Sequence, residues 1–162
     1  MESPHMTHLY GDTRIPKHHP RIVLRGKLDS LQAKVALTQC DLEGMGTDPE
    51  ILADLQDILE FLREVARCEI LDTPLLRDKI FGLSFDELQD RSHNAARYFG
   101  VATMTLPEPG LGRGYALLNC LRTAVRETEV AAVATFEDTR SDLVAGLNRL
   151  SSAVHILMCR CL

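Results

Sequence analysis

Between Ala116 and Glu129 one stretch of the chain carries two sets of residues on a single helical period. Leu117, Leu118, Leu121, Val125, Ala132 and Val133 recur three and four residues apart and are expected to face a core. Asn119, Arg122, Arg126 and Glu129 follow the same period, so a helix gathers them into one stripe. Two guanidiniums and a carboxylate in a column suit a ligand with a polyphosphate and a polar head group. Arginine holds its charge at any working pH and offers a planar fork of donors to phosphate oxygens. The same spacing also describes a solvated face laced with ion pairs. The choice between the two rests on the remainder of the chain.

That remainder reads as helices too. Pro20 opens a helix in its favoured first-turn position, and Ile22, Leu24, Leu28, Leu31, Val35 and Leu37 keep helical spacing to about Cys40. Asp48–Pro49 caps and starts a second helix through Ile51, Leu55, Ile58, Leu62 and Val65, ending near Cys68. Thr73–Pro74 is expected to start a short helix that Gly82 stops after Phe81. Ser84 and Glu87 form a capping box for another short helix to about Tyr98. Residues 100–114 make one long loop, rich in glycine. A last helix from about Thr139 to Cys161 buries Leu143, Leu147, Leu150, Val154 and Leu157. No segment alternates strictly, and aromatics are only 5% of the chain with no Trp, which suits helix-on-helix packing. The expected fold is all-α, a bundle of about five main helices in one domain over 1–162, with an irregular segment at 1–19.

Charge and cysteines narrow the function classes. A net charge of −5 argues against a general nucleic-acid surface, and no apolar run is long enough to span a bilayer. The five cysteines are scattered and odd in number, which fits reduced thiols better than a disulfide frame. Lys17, His18, His19, Arg21, Arg25 and Lys27 cluster at a helix start, where free N–H groups favour anions. Asn148, Ser151, Ser152 and His155 make a second polar column on the last helix. No phosphate-binding loop ending in Gly-Lys-Ser/Thr is present, nor a nucleophile elbow. Di-iron bundles need paired Glu-x-x-His motifs; here Glu2-x-x-His5 is broken by Pro4, and Asp90-x-x-His93 falls on a short helix.

Three blocks resemble the ATP:cob(I)alamin adenosyltransferases of the five-helix-bundle type, most closely the ethanolamine-utilisation branch. They are Thr7–His8–Leu9 with Lys17-x-x-Pro20–Arg21 and Gly26-x-Leu28–Asp29–Ser30; Leu106–Pro107 leading into Asn119-x-x-Arg122-x-x-x-Arg126-x-x-Glu129; and Leu147–Asn148–Arg149–Leu150–Ser151–Ser152. The resemblance implies ferritin-like up-and-down packing and transfer of the 5′-deoxyadenosyl group of ATP to the cobalt of reduced cobalamin, with tripolyphosphate leaving. It further implies that Lys17 contacts the phosphates together with Thr7 and His8, and that Arg126, Glu129 and Asn148 hold ATP. Arg122 would stand beside them, and Asp29 and Arg126 would serve the reaction. Mg²⁺ bridging phosphates would share the leaving group's charge. A homotrimer with ATP between subunits is implied, in the cytoplasm or a bacterial microcompartment, where a corrinoid reductase or shell proteins would be partners. A non-catalytic nucleotide- or corrinoid-binding helical module is the alternative.

The chain also departs from the family pattern. The family's glycine-rich N-terminal phosphate loop is reduced to Thr7–His8–Leu9, as in the ethanolamine branch. Ser152 stands where many members carry Asp, and Met104 takes roughly the place of a phenylalanine that shields the lower corrin face. The Cys-rich metal-binding segment usual upstream in this branch does not occur in these residues, so metal dependence is left open.

Overall fold

A computed structural model describes residues 3–102 and 106–162; Met104 and Glu2, weighed above, lie outside the described residues. Four long helices carry the fold: α1 (Pro20–Gly44), α2 (Pro49–Leu71), α5 (Arg113–Phe136) and α6 (Ser141–Arg160). Shorter α3 (Phe85–His93) and α4 (Ala95–Phe99) lie between α2 and α5 in sequence. Two small hairpins, β1 (Met6–Tyr10) with β2 (Thr13–Pro16) and β3 (Lys79–Ile80) with β4 (Leu83–Ser84), and a 3-10 turn at Pro109–Leu111 are the other described elements. The chain is predominantly helical, as the periodicity predicts.

The caps work as read from sequence. Asp48 accepts the Glu50 amide at 2.9 Å, and Ser84 and Glu87 exchange both bonds of their capping box. His19 adds an unforeseen cap, its Nδ1 accepting the Arg21 amide at 3.2 Å just before Pro20. Each long helix lies antiparallel to two neighbours. Gly114 of α5 meets Leu42 and Met45 at the far end of α1, while the Thr135 hydroxyl reaches the Pro20 carbonyl at the near end. Arg160 of α6 bonds Asp54 near the start of α2, and Arg140 bonds Asp72 just past its end. Around the bundle the order is therefore α1, α2, α6, α5, and α3 packs on α6. Leu24, Leu31, Leu55, Phe61, Leu62, Leu118, Leu121, Leu150 and Val154 fill the core. Gly146 lets α6 approach α2, since a Cβ there would sit 3.1 Å from the Phe61 ring.

Several expectations change. The segment 1–19 is not wholly irregular, because Gly11, at φ +50, and Asp12 turn β1 back onto β2. The short helix expected from Thr73 to Phe81 does not form. Its polar groups are claimed by distant partners: the Leu75 amide donates to Asp142 at 2.8 Å, while Arg77 and the Phe81 amide both donate to Asp57. Phe81 and Gly82, at φ 37 and 80, are the paired turn residues of the β3–β4 hairpin, and Gly82 is not a helix stop. Asn94 splits the helix expected up to Tyr98 into α3 and α4. Leu37 and Val133, expected in the core, are 63% and 48% exposed on the outer faces of α1 and α5. They follow the helical period but lie at the margin of the buried arc.

Candidate active-site cleft

An open cleft of about 720 Å³ runs along the groove between α5 and α6, with α3 as its third wall. The two polar columns read from sequence meet there. Arg122, Arg126 and Glu129 come from α5, and Asn148, Arg149, Ser151, Ser152 and His155 from α6. The antiparallel crossing is pinned where Asn148 Nδ2 donates to Glu129 Oε1 at 2.7 Å. Arg149 in turn donates to Asn148 Oδ1 at 3.0 Å, so the amide is held at both ends. From α3 the cleft gains Gln89, Ser92 and His93, which sequence reasoning missed as site residues. Their signal was present, as polar positions three and four apart on a capped short helix.

The two guanidiniums of the stripe are not spent on ion pairs. Arg122 donates Nε to Asn119 Oδ1 at 3.0 Å, and among the described residues no carboxylate pairs with Arg122 or Arg126. Glu129, the candidate i,i+3 partner of Arg126, is bonded to Asn148 instead. Burial and then the neighbouring Arg126 push the Arg122 guanidinium below its usual value, though an arginine stays charged. Like charges left together without counter-ions raise the field of the cleft and favour a multiply charged anion. Burial, then Arg122 and His93, hold the His155 imidazole below its ordinary range.

The remaining sequence candidates lie elsewhere on the chain. Thr7 and His8 sit on β1, Lys17 follows β2, and Asp29 is exposed on α1; none of the four lines the cleft. His8 Nδ1 is 3.1 Å from the Gly11 carbonyl, within the hairpin turn. The basic cluster at the α1 start divides. Arg21 and Arg25 are taken by Glu69, at 2.7 and 2.6 Å, and Arg25 also holds the Leu9 carbonyl at 2.6 Å, so Arg25 anchors the hairpin to the bundle. Lys17 has no ion pair among the described residues and is exposed.

Comparison with known proteins gives the chain a family. The family model described as cobalamin adenosyltransferase matches residues 3–161. The chain is 39% identical over 158 residues to the corrinoid adenosyltransferase EutT of Salmonella typhimurium strain LT2, and 38% identical to EutT of Escherichia coli K12. Each alignment covers 94% of this chain and 57% of the relative, so the chain spans a little over half the length of these curated proteins. With a family match over nearly all its residues and both polar columns gathered in one cleft, the chain belongs to the cobalamin adenosyltransferase family.

Proposed function

We propose that the chain transfers the 5′-deoxyadenosyl group of ATP to the cobalt of a reduced corrinoid. The observation that carries this is the pair of charged guanidiniums, Arg122 and Arg126, without carboxylate partners among the described residues and beside the bonded Glu129–Asn148 pair. In this reading the cobalt(I) electron pair attacks C5′, a Co–C bond forms, and the C5′–O bond breaks with its electrons leaving on tripolyphosphate. Cobalt supplies the nucleophile, so the protein has two tasks: aligning C5′ and stabilising the departing polyanion. Arg126 and Arg122 suit the second task. Glu129 and Asn148 offer a fixed acceptor and an amide to the polar head of the nucleotide. Among the described lining residues Glu129 is the only carboxylate, too few oxygen donors for a dedicated protein cage, so Mg²⁺ would enter on the phosphates.

The active unit is proposed to be a homotrimer in which Thr7, His8, Lys17 and Asp29 of one copy complete the cleft of the next. Two facts support this. Those residues lie off the cleft within one chain, and the outer faces of α1 and α5 expose Val23, Leu37, Val130 and Val133.

The test is adenosylation of chemically reduced cobalamin with ATP and Mg²⁺, followed by the cobalt spectrum, in wild type, Arg126→Ala and Glu129→Ala. Loss of one preorganised donor should cost about 2–4 kcal/mol of transition-state stabilisation in Arg126→Ala, at an unchanged thermal midpoint. Normal rates in both variants would return the stripe to a solvated face. ATP binding with no adenosylation by wild type would favour the non-catalytic module.

A further inference from the structure

The register of α5 against α6 places a second juxtaposition in the cleft. Glu129 and Asn148 are bonded across the groove, and seven residues back along α5 and seven forward along α6 bring Arg122 and His155 opposite each other. Two turns separate the pairs by about 10 Å along the axis, so one elongated ligand can reach both. The chemistry differs between the two ends. At Glu129–Asn148 a carboxylate and an amide are bonded to each other, whereas at Arg122–His155 the guanidinium has no carboxylate partner among the described residues.

His155 is half-buried, and its Nε2 lies 3.7 Å from the Cys159 sulfur, turned to its own helix. Burial raises the Cys159 thiol, so sulfur keeps its proton and adds no charge. The other groups that face the imidazole are few. From α5 they are Arg122, with Arg126 and Glu129 further along the same wall; from α3, His93; from its own helix, Cys159 and Arg149. On α4, Tyr98 is bonded to Asp90 of α3, and Arg97 stacks on Tyr98. On the α2 side, Glu50 and Asp54 are paired with Arg160 on another face of α6. No carboxylate contacts His155 among the described residues, and Glu129, two turns away along α5, is bonded to Asn148, so Arg122's repulsion of an imidazolium stands.

We propose that Arg122 and His155 form a proton-linked anion subsite, in which a phosphoryl group bound between them draws a proton onto His155. The proposal rests on the reading of the cleft as the nucleotide site and deepens it by naming the group that answers the anion. A phosphoryl oxyanion cancels the field of Arg122 and accepts a hydrogen bond from the ring, and both effects favour the imidazolium. Binding then takes up a proton and tightens as pH falls, until His155 is already protonated in the free protein.

Calorimetry near pH 6.5, in buffers of different ionisation enthalpy, reads the proton count directly. MgATP, magnesium tripolyphosphate and cobalamin serve as separate probes, which distinguishes the nucleotide's phosphates from the corrinoid's phosphodiester. Wild type should take up a substantial fraction of one proton per site with the probe that occupies the subsite. His155→Gln keeps a hydrogen-bonding side chain without a titration, and should lose that uptake and most of the pH slope of the affinity. Equal proton uptake in wild type and His155→Gln with every bound probe overturns the subsite and leaves the nucleotide reading intact. Failure of all three probes to bind overturns both. Should His155→Gln fold poorly, the wild-type imidazole resonance, followed by NMR with and without magnesium tripolyphosphate, decides the matter. An upward move of its midpoint supports the subsite, and an unmoved midpoint with ligand bound overturns it.

Discussion

Glu69 is 0% exposed and held between Arg21 and Arg25, whose side chains are 17% and 19% exposed. Arg21 also donates to the Glu69 carbonyl at 2.7 Å, so side chain and backbone are gripped together. Removing the buried carboxylate leaves two partly buried cations facing each other. Glu69→Ala is therefore expected to cost about 3–5 kcal/mol, read from urea unfolding midpoints, while Arg126→Ala costs almost none. The contrast bears on what a sequence discloses about single residues. Arg21, Arg25, Arg122 and Arg126 are alike as letters, and helical spacing groups each pair correctly. Only the structure shows that a glutamate from α2 neutralises the first pair and that, among the described residues, no carboxylate serves the second. That partner lies 44 or 48 positions away, beyond any local pattern.

At the scale of elements, the long helices were legible because periodicity and caps act locally. The segment after α2 was not, since its conformation is dictated by side chains on other helices. Asp142, in the first turn of α6, is the clearest example. It accepts the Leu75 amide at 2.8 Å and pairs with Arg140 at 3.1 Å. Burial pulls this carboxyl upward, but hydrogen bonds from Arg140 and from the amides of Leu75 and Leu143 outweigh it and hold it at about 2. The folded value lies below the unfolded one, so its stabilisation is fully present above about pH 4 and is lost as pH falls through about 2. The contribution is at most about 2.5 kcal/mol, with solvent screening taking part of it from a side chain 29% exposed. Unfolding free energies at pH 5 and pH 2 should show the gap between wild type and Asp142→Asn narrowing in acid. A gap independent of pH would mean that the α6 start is held without this charge.

For the whole molecule, the trimer reading predicts complementation. Lys17→Ala should weaken ATP binding alone, and Arg126→Ala should lose rate alone. When the two are co-expressed, random assortment returns both intact residues to about a quarter of the interfaces. Activity of the mixture well above either variant is the expected outcome, and activity no higher than their average would place Lys17 and Arg126 on one copy. A different consequence follows from the route between α2 and α5. The α1–α2 pair and the α5–α6 pair are each joined by a few residues, whereas the end of α2 at Leu71 and the start of α5 at Arg113 lie at opposite ends of the bundle. Closing a span of roughly forty residues costs about 3 kcal/mol of chain entropy before the helices touch. Two helical hairpins should therefore gain protection separately and dock afterwards. Pulse-labelled hydrogen exchange during refolding would record amides within each pair guarded early, and that of Phe81 in the β3–β4 turn, which donates to Asp57 of α2, guarded only after the α1–α2 pair has formed.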